Sequence, residues 1–182
     1  GKHVVLTLSH TGNAEIYKMN MENGQISPIT HHSAADVDPS FNRDGGLMAF
    51  LSDRPGKAMI YVMDPRAVEK DVKRIGFVGQ FNATPRFSPD GKEIVFASWV
   101  DERFDLFRLN ADGSGLARLT KDFGSNEEPA YSPDGEFIIF SSQRVLSRKK
   151  AIQDIYLMDK DGEILGSLTS NMGNCLTPRW SK

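Results

Sequence analysis

Short apolar runs separated by turn-forming residues set the rhythm of the chain. Val4–Leu8, Glu15–Met19, Ile26–Ile29, Leu47–Leu51, Met59–Asp64, Ile94–Ala97, Asp105–Leu109, Gly115–Leu119, Phe137–Ser141, Asp154–Met158 and Ile164–Leu168 are rich in branched and aromatic residues. Glycine, proline, asparagine and aspartate bound them, and runs of this kind predict β-strands. Asn23-Gly24 predicts a tight turn because both residues tolerate positive φ. Pro28 lacks an amide hydrogen and places its strand at an edge. The charged stretch from Arg66 to Arg74 is too short and weakly patterned for a stable helix and reads as a surface excursion.

The runs repeat as a unit. Thr84-Pro85-Arg86-Phe87-Ser88-Pro89-Asp90-Gly91 leads into Ile94-Val95-Phe96, and Pro39-Ser40-Phe41-Asn42-Arg43-Asp44-Gly45 and Pro129-Ala130-Tyr131-Ser132-Pro133-Asp134-Gly135 lead into matching strands. A partial copy, Thr177-Pro178-Arg179-Trp180-Ser181, ends the chain, and the marker prolines lie 46, 44 and 49 residues apart. Four-stranded units at this period bury their faces by stacking, which predicts an all-β, four-bladed β-propeller of four-stranded antiparallel blades. The chain reads as a single domain, 1–182, with repeat starts near 38, 84, 128 and 177. Placing Pro178–Lys182 before Val4–Thr7 recreates the unit, so the N- and C-termini are expected to close the ring and remove two sheet edges.

Pro85–Lys92, Asp105-Leu106-Phe107, Asp112-Gly113-Ser114 and Arg118-Leu119-Thr120, echoed by Pro129–Gly135, Asp154–Asp159, Asp161-Gly162 and Leu168-Thr169, resemble the WD40-like Pro-Asp repeats of the TolB family. Unit two departs at Asn42-Arg43-Asp44-Gly45 and lacks an Asp-Gly turn after Asp64. The resemblance implies a propeller that binds protein or peptide, a periplasmic or otherwise exported location, and the peptidoglycan-associated lipoprotein as a partner. In the family's namesake it also implies an additional N-terminal α/β domain and a six-bladed ring, neither of which is found in this sequence. Similar repeats occur in propellers attached to serine peptidases.

Composition adds limits. The formal charge of −2 gives no general attraction to nucleic acid, and no run of apolar residues is long enough for direct membrane insertion. The start at Gly1-Lys2-His3 has no signal-peptide shape, and Cys175, the single cysteine, permits no intramolecular disulfide. Asp44-Gly45, Asp90-Gly91 and Asp134-Gly135 read as turns, and Ser88 and Ser132 lack the glycine-flanked setting of a nucleophile elbow. His31 and His32, adjacent in sequence, would point to opposite faces of a strand, a poor arrangement for a metal. The basic insertion containing Arg144, Arg148, Lys149 and Lys150 lacks the aromatics of a nucleic-acid groove.

The candidate binding residues precede the repeated prolines: Asp36, Asp38, Thr84, Glu127, Glu128 and Thr177. In a propeller these positions approach the central channel, where oxygen-rich clusters hold calcium or a basic peptide group. Asp38 and Glu128 are therefore the metal candidates, with Ca2+ compatible with the channel and no cofactor required. Trp99, where other units carry Ser9 and Gln143, is a contact candidate beside Asp101, Glu102, Arg103 and Phe104. The leading functional expectation is a noncatalytic protein- or peptide-binding scaffold associated with the bacterial cell envelope. The alternative is a carbohydrate- or ester-acting enzyme with Asp38 and Glu128 as acid and base.

Overall fold

A computed structural model describes residues 2–10, 12–68, 70–147 and 150–181, with side chains outside 145–151. Among the described residues there are fifteen strands and no helix: β1 (His3–Leu8), β2 (Glu15–Asn20), β3 (Ile26–Pro28), β4 (Asp36–Phe41), β5 (Met48–Ser52), β6 (Met59–Met63), β7 (Lys73–Arg74), β8 (Asn82–Phe87), β9 (Glu93–Val100), β10 (Arg103–Asn110), β11 (Ala117–Arg118), β12 (Ser125–Tyr131), β13 (Phe137–Ser147), β14 (Lys150–Asp159) and β15 (Ile164–Ser167). Antiparallel pairing groups them into β1-β2-β3 and three four-stranded sheets, β4 to β7, β8 to β11 and β12 to β15. The charged excursion of unit two is only partly irregular, because Lys73 and Arg74 pair with Val62 and Tyr61 as the outer strand of their blade. The basic hairpin extends β13 and β14, which pair from Phe137↔Asp159 to Ser147↔Lys150; Arg148 and Lys149 lie outside the described residues.

Both faces of each central sheet are buried, which explains the unbroken apolar runs. In β5, Met48 and Phe50 pack with Ile16, Met59, Tyr61 and Met63 toward the first sheet, while Ala49 and Leu51 pack with Ile60, Ile94, Phe96 and Leu109 toward the third. Val95, Ala97, Leu106, Tyr131, Ile138, Phe140 and Met158 join the third sheet to the fourth. Alternate side chains thus serve alternate interfaces, and Phe50, Phe96 and Phe140 are fully buried at equivalent positions.

Among the described residues, the C-terminal segment is not paired with β1 as the expected closure requires. β1 pairs with β2 on one side, and none of its partners lies between 178 and 181. The C-terminal segment instead lies along the fourth blade, where the Cys175 amide donates to the Gln153 carbonyl at 2.8 Å and Trp180 Nε1 donates to the Ala130 carbonyl at 3.0 Å. Among the described residues, no strand of the first sheet touches a strand of the last. The architecture is an open four-sheet arc of a propeller, with the first sheet three-stranded.

Candidate functional site

The inner strands β4, β8 and β12 stand side by side, β8 touching both others while β4 and β12 do not touch each other. Each carries the same irregularity. Pairing slips between Val37 and Ser40, between Ala83 and Arg86, and between Glu127 and Ala130, so one extra residue is inserted at the X-Pro step of every inner strand. Proline suits this place because the bulge leaves its missing amide hydrogen without consequence for the ladder. The residue before it takes a left-handed backbone: φ is 52° at Asp38, 49° at Thr84, 57° at Glu128 and 50° at Thr177. Side-chain-bearing residues adopt this conformation at a cost of about 1–2 kcal/mol each, and it is further disfavoured before proline. The bulge recurs at three inner strands, Thr177 repeats its backbone conformation outside any strand, and no glycine marks it in the sequence.

Residues after the prolines alternate: Ser40, Arg86, Ala130, Arg179. Arg86 Nη1 donates to its own Pro85 carbonyl at 2.7 Å and to the Asp38 carboxylate of the preceding blade at 3.0 Å. Arg179 repeats the first contact with the Pro178 carbonyl at 2.7 Å, and the Thr177 amide donates to the Glu128 carboxylate. The wall therefore alternates carboxylate and guanidinium from blade to blade instead of presenting the partly acidic ring expected from Asp38 and Glu128.

Glu127 lies beside this wall, half-buried, and makes no ion pair among the described residues. Burial, and then the neighbouring Glu128 charge, push its carboxyl above the ordinary glutamate range. The folded state thus holds this proton more tightly than the unfolded chain, so ionised Glu127 costs stability above its folded pKa and that cost is relieved as pH falls through it. We expect Glu127→Gln to raise the urea midpoint at pH 7, with the gain vanishing below about pH 4. Denaturation curves of both proteins across pH check this; an unchanged or lower midpoint at pH 7 contradicts it.

Asp36 sits elsewhere. Its side chain is fully buried and ion-paired to Arg54 at 2.9 Å, so it holds the second blade together instead of facing a ligand. Asp38 and Glu128 are not neighbours, since β8 stands between their strands, and among the described residues no three His, Cys, Asp or Glu side chains converge as metal ligands. Trp99 is half-buried and stacks on Phe81 at 6.3 Å, with Phe104 edge-on at 5.1 Å. It combines loop packing with an accessible edge.

A buried polar network was not recognised from the sequence. Thr120 Oγ1 donates to Asp105 at 3.0 Å and accepts the Leu106 amide at 2.9 Å. Thr30 does the same with Glu15 and Ile16, and Thr169 with Asp154 and Ile155. The available signal was an acid and a threonine recurring 15 residues apart in three units. Blade two has Met59 at the acid's place and uses Asp36 with Arg54.

Residues 1–182 match the family described as the TolB beta propeller domain. A protein TolB homolog of Chlorobaculum tepidum is 35% identical over 125 residues, covering 68% of this chain and 28% of that protein. The crystal structure of TolB from Acinetobacter baumannii superposes with a TM-score of 0.81 at 30% identity, over 97% of this chain and 43% of that one. An oligogalacturonate lyase in complex with manganese shares the fold alone, at a TM-score of 0.69 and 14% identity, over 94% of this chain and 52% of that one. The chain spans less than half the length of these two TolB relatives.

Proposed function

Because this chain belongs to the TolB beta propeller domain family, we propose that it is a noncatalytic scaffold that binds a protein or peptide along its inner-strand wall. The repeated bulge carries this reading. Left-handed backbone at Asp38, Thr84 and Glu128 contributes nothing to strand pairing, yet it recurs in each of the three inner strands and again at Thr177. Alternating carboxylates and guanidiniums beside it suit the polar groups and side chains of an extended segment. By family resemblance the proposal extends to an exported, periplasmic setting and to the peptidoglycan-associated lipoprotein as a partner.

The test is selection of a random peptide display library on this protein, followed by affinity measurement against Asp38→Asn/Glu128→Gln. The expected result is a related set of peptides whose affinity falls at least about tenfold in the double variant, since hydrogen bonds to charged groups have that weight. Peptides that bind both proteins equally, or no enrichment at all, would remove the wall as the binding surface.

A further inference from the structure

Opposite the strand starts, the inner strands end on aromatic rings at equivalent positions: Phe41, Phe87 and Tyr131, with Trp180 as the fourth copy. Together with Pro89, Pro133, Ser88, Ser132 and Arg43, the first three line a cavity of about 530 Å3. Besides Arg43, its polar side chains are the hydroxyls of Ser88, Ser132 and Tyr131. Ser88 Oγ donates to Asp90 at 2.7 Å and Ser132 Oγ donates to Asp134 at 2.5 Å, so both hydroxyl protons are committed to the turns. Burial pushes the Tyr131 hydroxyl up, which keeps it neutral.

Arg43 is the exception on the rim. Arg54, Arg66, Arg86, Arg103, Arg108 and Arg118 each hold a carboxylate, while Arg74, Arg144 and Arg179 rest on aromatic rings or backbone carbonyls. Arg43 is exposed and makes no ion pair among the described residues. A guanidinium without a carboxylate partner, on the rim of an aromatic cup whose nearby Asp90 and Asp134 carboxylates are held by the Ser88 and Ser132 hydroxyls, complements an anionic group attached to an apolar one.

We propose that this cup is a second peptide-binding site, taking an apolar or aromatic side chain whose neighbouring carboxylate pairs with Arg43. It rests on the peptide-binding reading above but uses none of the wall residues named there. An aromatic C-terminal residue of a peptide supplies both groups at the required proximity.

The probes are acetyl-Gly-Gly-Phe with a free C-terminal carboxylate and the same peptide as its C-terminal amide, titrated by NMR with backbone amides of 41–43, 87–89 and 131–133 as reporters. The carboxylate form is expected to shift these signals with an affinity about tenfold higher than the amide form. Arg43→Gln should erase that difference, and Arg43→Lys should restore part of it. Because Arg43 is exposed, the Gln variant keeps the fold, which its unperturbed spectrum elsewhere verifies. Equal affinity of the two forms, or no shifts with either, overturns the proposal. Asp38→Asn/Glu128→Gln should bind the carboxylate probe as the unmodified protein does, so loss of the wall site and loss of the cup are read separately; weakened probe binding in that variant would also overturn the cup as a separate site.

Discussion

Replacing Asp105 with alanine is expected to lower the unfolding free energy by about 3–5 kcal/mol, the range for stripping one partner from a buried ion pair. Asp105 has no exposed surface. Its carboxylate accepts from Arg118 Nη2 at 2.5 Å, Thr120 Oγ1 at 3.0 Å and Asn126 Nδ2 at 3.2 Å, and Arg103 Nε stands 3.6 Å away. Asn126 belongs to the inner strand of the next blade, so the group ties β10 and β11 to each other and to β12. Alanine removes the one acceptor these groups share; Arg118 keeps Asp101 at 2.9 Å and Arg103 keeps Asp122 at 2.8 Å, so the penalty falls mainly on the buried hydrogen bonds from Thr120 and Asn126. Asp154→Ala provides the comparison: its hydrogen bond from Thr169 at 2.7 Å lies on a part-buried site in the last blade, and the loss there should be smaller. Urea unfolding of the two variants checks the order, and equal losses would mean that the network across blades adds nothing.

Gly79→Ala is the second large effect, with an expected loss of about 3 kcal/mol, near the upper end for single substitutions. Gly79 has φ 72°, and an added Cβ would lie 2.1 Å from Ser98 Oγ and 2.7 Å from the Trp99 carbonyl. Neither neighbour is free to retreat. Ser98 Oγ accepts from Asn82 Nδ2 at 2.9 Å and donates to the Val78 carbonyl at 3.2 Å, while the Trp99 carbonyl accepts the Gln80 amide at 3.0 Å. The methyl group must therefore lift the connection between blades two and three off β9. Gly24 supplies the control, because its φ of 71° meets nothing within 4 Å. Gly24→Ala carries the backbone cost alone, about 1 kcal/mol. Similar losses at both glycines, by thermal or urea unfolding, would refute the close approach at Gly79.

The strands and their grouping were legible because each blade repeats one pattern of apolar runs and turn residues. Phe50, Phe96 and Phe140 announce equivalent strands, and all three are fully buried. Closure was misread for the same reason: Pro178–Ser181 looks like an inner strand for any following blade, and sequence similarity says nothing of the rotation accumulated over four sheets. Lys73 and Arg74 were assigned to an excursion because a two-residue edge strand of charged residues has no apolar signature. At the candidate site, proline marked the position of the bulge, but Asp38, Thr84, Glu128 and Thr177 carry none of the glycine that ordinarily betrays left-handed backbone. Asp36 and Asp38 are two residues apart and looked alike, yet one is fully buried on Arg54 and the other meets Arg86 across blades. Which side of a bulge a carboxylate occupies is decided by strand register, which composition does not reveal.

A crystal structure read at residues 38, 84, 128 and 177 tests the central claim most directly. The account predicts φ of 52°, 49°, 57° and 50° there to within ordinary scatter, Asp38 bound to Arg86 of the next blade, and β1 without a partner on its inner edge. Extended backbone at those four positions, or residues 178–181 paired with Val4–Thr7, would contradict it by removing the bulged wall or closing the arc.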